Sequence, residues 1–406
     1  MKPAQKLTIP ADRMERLHYI KRMFPQAQGD DLKSEWAGGR LAALTKLANV
    51  DALSYGRNRN FLNGSVTHLS PYLRHGCLTL NETFAAIRQK SGLSAENLLM
   101  QLAWRDYWQR VWTLRRNAIY SEMEPPKVAL GYAPLSDAVK NGKTGLPCMD
   151  GFIADLLDTG YVHNHARMWL ASYIVHHLKI DWREAADWFE AHLLDGDQAS
   201  NHLSWQWVAS TFSSKPYYFN KENLARYTGE KYCAACTASC PFDASYEALQ
   251  ARLFSLPANA EAKIYPLTPV PMKAMSTHKP VAVYVHDAML SPVNTVLDRP
   301  FPKIFIFDPQ LCGDWPLKRL QFVADCLSEM MNIEVWIGDT YEVLMQRNVG
   351  ELTTQATPNP KIKALLAPFL TRWQPLDKLV DVEMSDKRMQ RFSRYWEKAG
   401  PLLLNA

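Results

Sequence analysis

Three cysteines carry the most specific chemistry in this 406-residue sequence: Cys233, Cys236 and Cys240 stand as C-x-x-C-x-x-x-C with Pro241 directly behind them. Thiolates at that spacing can reach one metal centre from a single loop. The spacing and the trailing proline match the tail of a ferredoxin-type ligand run, so iron–sulfur ligation is the first reading. Zinc, a redox dithiol and plain buried thiols are the alternatives. A second set is aromatic, with 13 Trp beside 17 Tyr and 15 Phe. So many indoles suit a large core, a stacking surface for a flat ligand, or a path for electrons, and composition does not choose among these.

Such side chains need elements to position them. Up to about Phe254 the periodicity is helical: Leu98, Leu99, Leu102 and the run from Trp104 to Trp112 recur at three- and four-residue spacing, as do Trp169, Tyr173 and Ile174. Ser94 and Asp181 read as helix starts. Pro257, Pro266, Pro269, Pro271 and Pro280 then resist both helix and sheet, which predicts an interdomain linker over residues 257–280. Beyond it, Val281–Val285, Lys303–Phe307 and Ile333–Ile337 are β-rich, with an amphipathic helix carrying Leu317, Leu320, Val323 and Leu327 between the last two. Glu351–Gln355 and Lys378–Val382 are weaker strand candidates. Strands alternating with helices predict a parallel sheet. Asp287, Asp308 and Asp339 each close a strand, at the edge where α/β folds bind ligands. Asp also simply stops strands and caps the element that follows.

The length exceeds the roughly 250–300 residues at which one core stops growing, so two domains are expected. They are a helical domain over residues 1–256 and a parallel α/β, Rossmann-like domain over residues 281–406. Hydrophobic residues at 47% and charged ones at 21% exclude wholesale disorder, and 18 Gly against 25 Pro exclude a collagen-like filament. Of the 46 Lys+Arg and 41 Asp+Glu, 14 and 15 fall from Val281 onward, which leaves an excess of +6 before it. That excess permits a polyanion partner such as nucleic acid without demanding one. The first 16 residues contain no apolar run after their lysines, so they do not read as a secretory signal. No stretch approaches about 18 consecutive apolar residues, so no membrane partner is expected. A cytoplasmic monomer with reduced thiols is the expectation.

The segment from Gly142 to Trp207, GKTGLPCMDGFIADLLDTGYVHNHARMWLASYIVHHLKIDWREAADWFEAHLLDGDQASNHLSWQW, closely resembles the flavin-binding core of the photolyase/cryptochrome superfamily. Two more blocks agree in the same order: Gly64-Ser-Val-Thr-His-Leu-Ser-Pro-Tyr-Leu-Arg-His-Gly76 and Gln101-Leu-Ala-Trp-Arg-Asp-Tyr107. The resemblance implies an all-helical domain holding a U-shaped FAD. Tyr55, Thr67, His68, Leu69 and Ser70 match positions that support its phosphates and ribityl chain. Arg105 matches a supporting arginine. Asn164 and Arg167 sit one turn apart on one helix face, and Arg167 matches the arginine that pairs with an acidic residue, here Asp195, beside the flavin. Asp197 matches the carboxylate at the isoalloxazine edge and Asn201 the residue facing flavin N5. A reduced anionic flavin needs a fixed cation and a donor held in place beforehand. Without the motif, Arg167–Asp195 would read as a packing ion pair.

The resemblance also implies a light-dependent DNA photolyase acting on pyrimidine dimers in UV-damaged DNA, with a cryptochrome-like photoreceptor as the alternative. Trp205 and Trp182 match the inner members of an electron-transfer chain, whose outer member would be a tyrosine such as Tyr120 or Tyr132. Trp182 could instead be the apolar face of its helix. Trp104, Trp207, Asn164 and Met168 match positions contacting the flipped-out dimer. The family's glutamate is Gln101 here, which can still hydrogen-bond a thymine edge but brings no charge, and its arginine is His165. One bacterial branch holds a 4Fe–4S cluster with a cysteine in a TG-x-x-C segment and three near Y-C-x-x-C…C-P-F, which Cys148 and Cys233, Cys236 and Cys240 match. The gap between Cys236 and Cys240 is shorter than in that branch. Relatives place an antenna domain before the FAD domain, whereas here the α/β pattern follows it. It reads as a circularly permuted antenna-type domain with an unassigned chromophore, or else as an unrelated α/β module.

Overall fold

The computed structural model describes residues 4–256 and 280–405. The expected linker, apart from Pro280, lies outside the described residues. One six-stranded sheet is formed by β1 (Gln5–Leu7), β2 (Val281–Val285), β3 (Lys303–Phe307), β4 (Ile333–Ile337), β5 (Glu351–Gln355) and β6 (Leu370–Gln374), in the order β1-β4-β3-β2-β5-β6. Strands β2 to β6 run parallel, and β1 adds antiparallel to β4 through Gln5↔Ile337 and Leu7↔Val335. The β2 and β3 sequences VAVYV and KIFIF are apolar without alternation and are buried after their first residue, as strands covered on both faces must be.

The predicted strands at 281–285, 303–307, 333–337 and 351–355 are the observed ones. Lys378–Val382 is not a strand. Arg110 takes the carbonyls of Val380 and Val382, which removes two acceptors that a ladder would need. Leu370–Gln374 supplies the sixth strand instead. Asp308 and Asp339 follow the capping reading: Asp308 Oδ1 accepts from Gln310 N at 2.8 Å and Asp339 Oδ1 from Glu342 N at 3.0 Å. Asp287 is fully buried and pairs with Arg74 Nη2 at 2.7 Å. Burial alone would raise its carboxyl, but Arg74, His75, Arg319 and His286 bring it down to about 2.

The described residues cluster into two compact units, and neither is one run of chain. The α/β unit takes residues 4–50, 68–86 and 280–379, and the helical unit takes 51–67, 87–256 and 380–405. This differs from the expected division at residue 256. Its physical reason on the α/β side is that β1 pairs with β4 and the helix Arg13–Met23 docks on the helix Leu317–Ser328. There Asp325 accepts from Arg16 Nε at 2.8 Å and Arg13 Nε at 3.1 Å.

The helical unit is built on the helices Glu96–Arg115, Pro147–Thr159, Asn164–Ser172, Trp182–His192 and Gln198–Ala209. Asn164–Ser172 runs on into a π-helical turn, Tyr173–His177. Phe152, Ile153, Trp169, Ile174, Trp182, Phe189 and Trp205 share its core. Asp181 caps its helix as expected, accepting from Arg183 N, whereas Ser94 lies in a 3₁₀ turn and the helix starts at Glu96 with Ala95 at the cap.

Candidate functional site

Asp197 caps the helix Gln198–Ala209, where its Oδ1 accepts from Ser200 N at 2.8 Å. The same carboxylate receives Arg105 Nη1 at 2.5 Å and Gln109 Nε2 at 3.1 and 3.2 Å. Arg105 and Gln109 stand one turn apart on the helix Glu96–Arg115, so both can face one acceptor. Arg105 and Asp197, expected as separate cofactor contacts, are therefore partners of each other across 92 residues. Gln109 was not picked out in the sequence, although its spacing from Arg105 was the available signal.

Arg167 and Asp195 also meet. Arg167 Nη2 approaches Asp195 Oδ2 at 3.5 Å, with the side chains 26% and 5% exposed, while Arg167 Nε donates to Val162 O at 2.9 Å. The guanidinium lies over the rings of Tyr161 at 5.7 Å and Phe189 at 5.8 Å. The other carboxylate oxygen, Asp195 Oδ1, is buried and has no hydrogen-bond partner among the described residues. Such an atom costs desolvation energy without return, so it marks a place where a donor is wanted. Burial pushes the Tyr161 hydroxyl up to about 12, with Arg167 opposing and Asp195 and Tyr55 reinforcing the shift. Tyr55, Tyr161, Arg167 and Asp195 thus form one neighbourhood, in which Tyr161 was not anticipated. An arginine with an open carboxylate oxygen beside it fits a bound anionic, hydrogen-bonding cofactor such as FAD.

Asn201 is used at both ends of its amide: Oδ1 accepts from Trp205 Nε1 at 3.1 Å and Nδ2 donates to Ala186 O at 2.8 Å. Trp205 meets Phe189 edge-on at 5.9 Å, and Trp182 is buried with Nε1 lacking a hydrogen-bond partner among the described residues. Of the two candidate outer tyrosines, Tyr120 donates to Gln198 Oε1 at 3.0 Å. Tyr132 donates to Glu122 Oε1 at 3.0 Å and has the Arg183 guanidinium over its ring at 5.4 Å.

Among the residues matched to the dimer pocket, Gln101, Trp104 and Trp207 are half-buried and Asn164 is exposed. Trp207 lies 5.6 Å from Tyr217, and Asn164 Nδ2 lies 4.0 Å from Met168 Sδ. His165 stacks on Trp169 at 4.3 Å, and its Nδ1 donates to Asn60 O at 2.9 Å. Burial lowers its pKa, so the ring is neutral at ordinary pH and does not replace an arginine's charge. Thr67 clusters with the helical unit, whereas His68, Leu69 and Ser70 cluster with the α/β unit. His68 adopts a left-handed φ of 53°, Leu69 is buried, and Ser70 Oγ is buried without a hydrogen-bond partner among the described residues.

The cysteines share a neighbourhood without converging. Cys148 is buried at the start of the helix Pro147–Thr159, and its thiol is pushed up to about 12, chiefly by burial, with Cys233 and Cys240 contributing. Cys233, Cys236 and Cys240 are half-buried, in a loop shaped by its own turns, Cys233 N to Glu230 O and Cys236 N to Cys233 O, and by Tyr232 set edge-on against Phe152. Among the described residues, no three His, Cys, Asp or Glu side chains form a group that could hold a metal ion. The expected iron–sulfur site is therefore not shown among the described residues. Also among the described residues, no helix is long and apolar enough to cross a membrane.

Residues 98–247 match the family described as the FAD binding domain of DNA photolyase. A deoxyribodipyrimidine photo-lyase of Streptomyces griseus is 38% identical over 179 residues, 44% of this chain and 39% of that protein. A cryptochrome DASH of Idiomarina loihiensis is 32% identical over 213 residues, 49% of this chain and 47% of that protein. The crystal structure of a Synechocystis cryptochrome aligns with a TM-score of 0.45 and 27% identity over 51% of this chain and 47% of that one. The chain spans less than half the length of the curated relatives it matches. Residues 98–247 thus match the FAD-binding domain of DNA photolyase, and the proteins similar to this chain are named photolyases and cryptochromes.

Proposed function

We propose that this chain is a light-dependent DNA photolyase that holds FAD in its helical unit and acts on pyrimidine dimers in UV-damaged DNA. The observation that carries the reading is the Arg167–Asp195 pair with its open, buried Oδ1. Arg167 and Asp195 are among the residues that would hold FAD, which when bound and reduced would supply light-driven electron-transfer chemistry. The protein's part is positioning and electrostatics. Arg167 holds a fixed positive charge near the cofactor, and Asp195 orients it while keeping an acceptor available. Asn201, locked by Trp205 and Ala186, presents a rigid polar edge. Flipping a dimer out of the duplex costs a few kcal/mol, and stacking returns about 1–3 kcal/mol per base. The indoles of Trp104 and Trp207 are the walls that would supply it, with Gln101 hydrogen-bonding a thymine edge. Relatives named deoxyribodipyrimidine photo-lyase support the assignment. The test is a UV-irradiated oligonucleotide incubated with the flavin-loaded protein in light and in dark. Dimers should disappear in light only, and survival of every dimer type would overturn the proposal.

A blue-light photoreceptor is the second reading. It is favoured by uncharged Gln101 and by His165, whose pKa burial lowers. A light-induced change in proteolytic pattern without dimer loss would select it. We further propose that the α/β unit is a permuted antenna-type domain, supported by its parallel strands β2 to β6. Cys148, Cys233, Cys236 and Cys240 are the ligand set to test for a 4Fe–4S cluster. Two moles each of iron and sulfide or fewer per mole of protein would exclude that cluster (a ligation expectation from Cys₄ chemistry of about four each).

A further inference from the structure

An indole has two faces, and one face of Trp104 is taken from within the helical unit. Phe392, the first residue of the helix Phe392–Leu404, stacks on it with ring centroids 3.8 Å apart and planes 10° from parallel. At that separation nothing fits between the rings. The other rings near Trp104 are tilted neighbours on its own helix: Tyr107 at 5.8 Å and 86°, and Trp108 at 5.0 Å and 45°. Neither lies flat on the indole.

The partner ring is held firmly. Arg391 grips both oxygens of Glu124 at 2.5 and 2.8 Å, Tyr107 donates to Met389 O at 2.9 Å, and Tyr395 donates to Asp106 Oδ2 at 2.7 Å. Further along, Arg88 donates to Leu403 O at 3.1 Å and Leu404 O at 2.6 Å. The Phe392 plane is therefore set by the segment on both sides of it. A half-buried Trp on a helix surface would otherwise choose among rotamers, and a ligand that stacks on it would have to remove that freedom.

We propose that Phe392 is a positioning residue for substrate binding: it occupies one face of Trp104 and so presents the opposite face, in a fixed plane, to a flipped pyrimidine. This rests on the reading of Trp104 as a wall of the dimer pocket. The order in the bound state is Phe392, Trp104, pyrimidine. Stacking needs coplanar rings, and a wall ordered before binding spares the complex that ordering cost.

The test uses full-length, FAD-loaded protein and an oligonucleotide carrying a defined dimer, with dark binding and light-driven splitting per bound dimer measured separately. Phe392→Leu keeps apolar volume but removes the ring. It should weaken dark binding by about two- to tenfold and leave splitting per bound dimer unchanged. Phe392→Tyr, which keeps the ring, should restore binding. Unchanged binding in Phe392→Leu overturns the inference. So does tighter binding, which would make Phe392 a plug in the base's own place. If Phe392→Leu loses FAD, Phe392→Met replaces it. Loss of FAD in both would make Phe392 a core residue and likewise overturn the inference. Wild-type protein that binds no dimer would instead bring down the photolyase reading itself, a distinct result.

Discussion

Arg167 and Asp195 form a pair in which one buried carboxylate oxygen, Asp195 Oδ1, is left without a hydrogen-bond partner among the described residues. Asp195→Ala should therefore do two things. It should lower the FAD carried through purification by about tenfold, and it should cost about 1–3 kcal/mol of stability, reduced from a fully buried pair by the partial exposure of Arg167. Flavin absorbance per protein and a urea titration check both. His176 gives a pH prediction. Burial pulls it down to about 4, while Nε2 donates to Val208 O at 3.0 Å, which leaves Nδ1 buried without a hydrogen-bond partner among the described residues. The unfolded chain takes up this proton near its ordinary value of about 6.5, the folded chain only near 4. Stability is therefore whole above about pH 6.5 and falls as pH drops toward 4, by up to about 3 kcal/mol from this group. Melting temperatures from pH 7.5 to 4.5 should fall less in His176→Gln than in the wild type.

At the scale of elements, the strands most legible in the sequence were those buried on both faces, because an unbroken apolar run needs no partner to announce it. Strand β6 was missed because Leu370–Gln374 is largely exposed and polar, and β1 because three residues carry no period. The contact between the helices Arg13–Met23 and Leu317–Ser328 depends on Asp325, which is buried and accepts from Arg13, Arg16 and Gly38 N. Asp325→Ala would leave the buried Arg16 guanidinium without its carboxylate. A loss of about 3–5 kcal/mol is expected, read as a lower denaturation midpoint. A change below about 0.5 kcal/mol, the range of ordinary surface substitutions, would show that the pair does not hold these helices together.

For the whole molecule, the interleaving of the two units makes a contiguous fragment informative. A chain of residues 1–256 keeps the flavin motif but lacks β4 for β1, Asp325 for Arg13 and Arg16, and the helix Phe392–Leu404 that covers Trp104 and accepts from Arg88. It is expected to be poorly soluble and low in FAD compared with the full chain. Soluble yield and flavin content measure this, and a fragment as soluble and as flavin-rich as the full chain would restore residue 256 as a true boundary.

The sequence by itself determined the helical and α/β grammar and the buried strands, and its resemblance to a known family implied the Arg167–Asp195 pair. Periodicity and short motifs record local backbone preference and local burial. Only the tertiary structure decided that Arg105 and Asp197 neutralise each other, that β1 joins a sheet whose other strands begin at Val281, and that Phe392 lies flat on Trp104. Each of these joins segments distant along the chain. Which distant segments meet depends on how the whole chain buries its surface, and no local pattern encodes that.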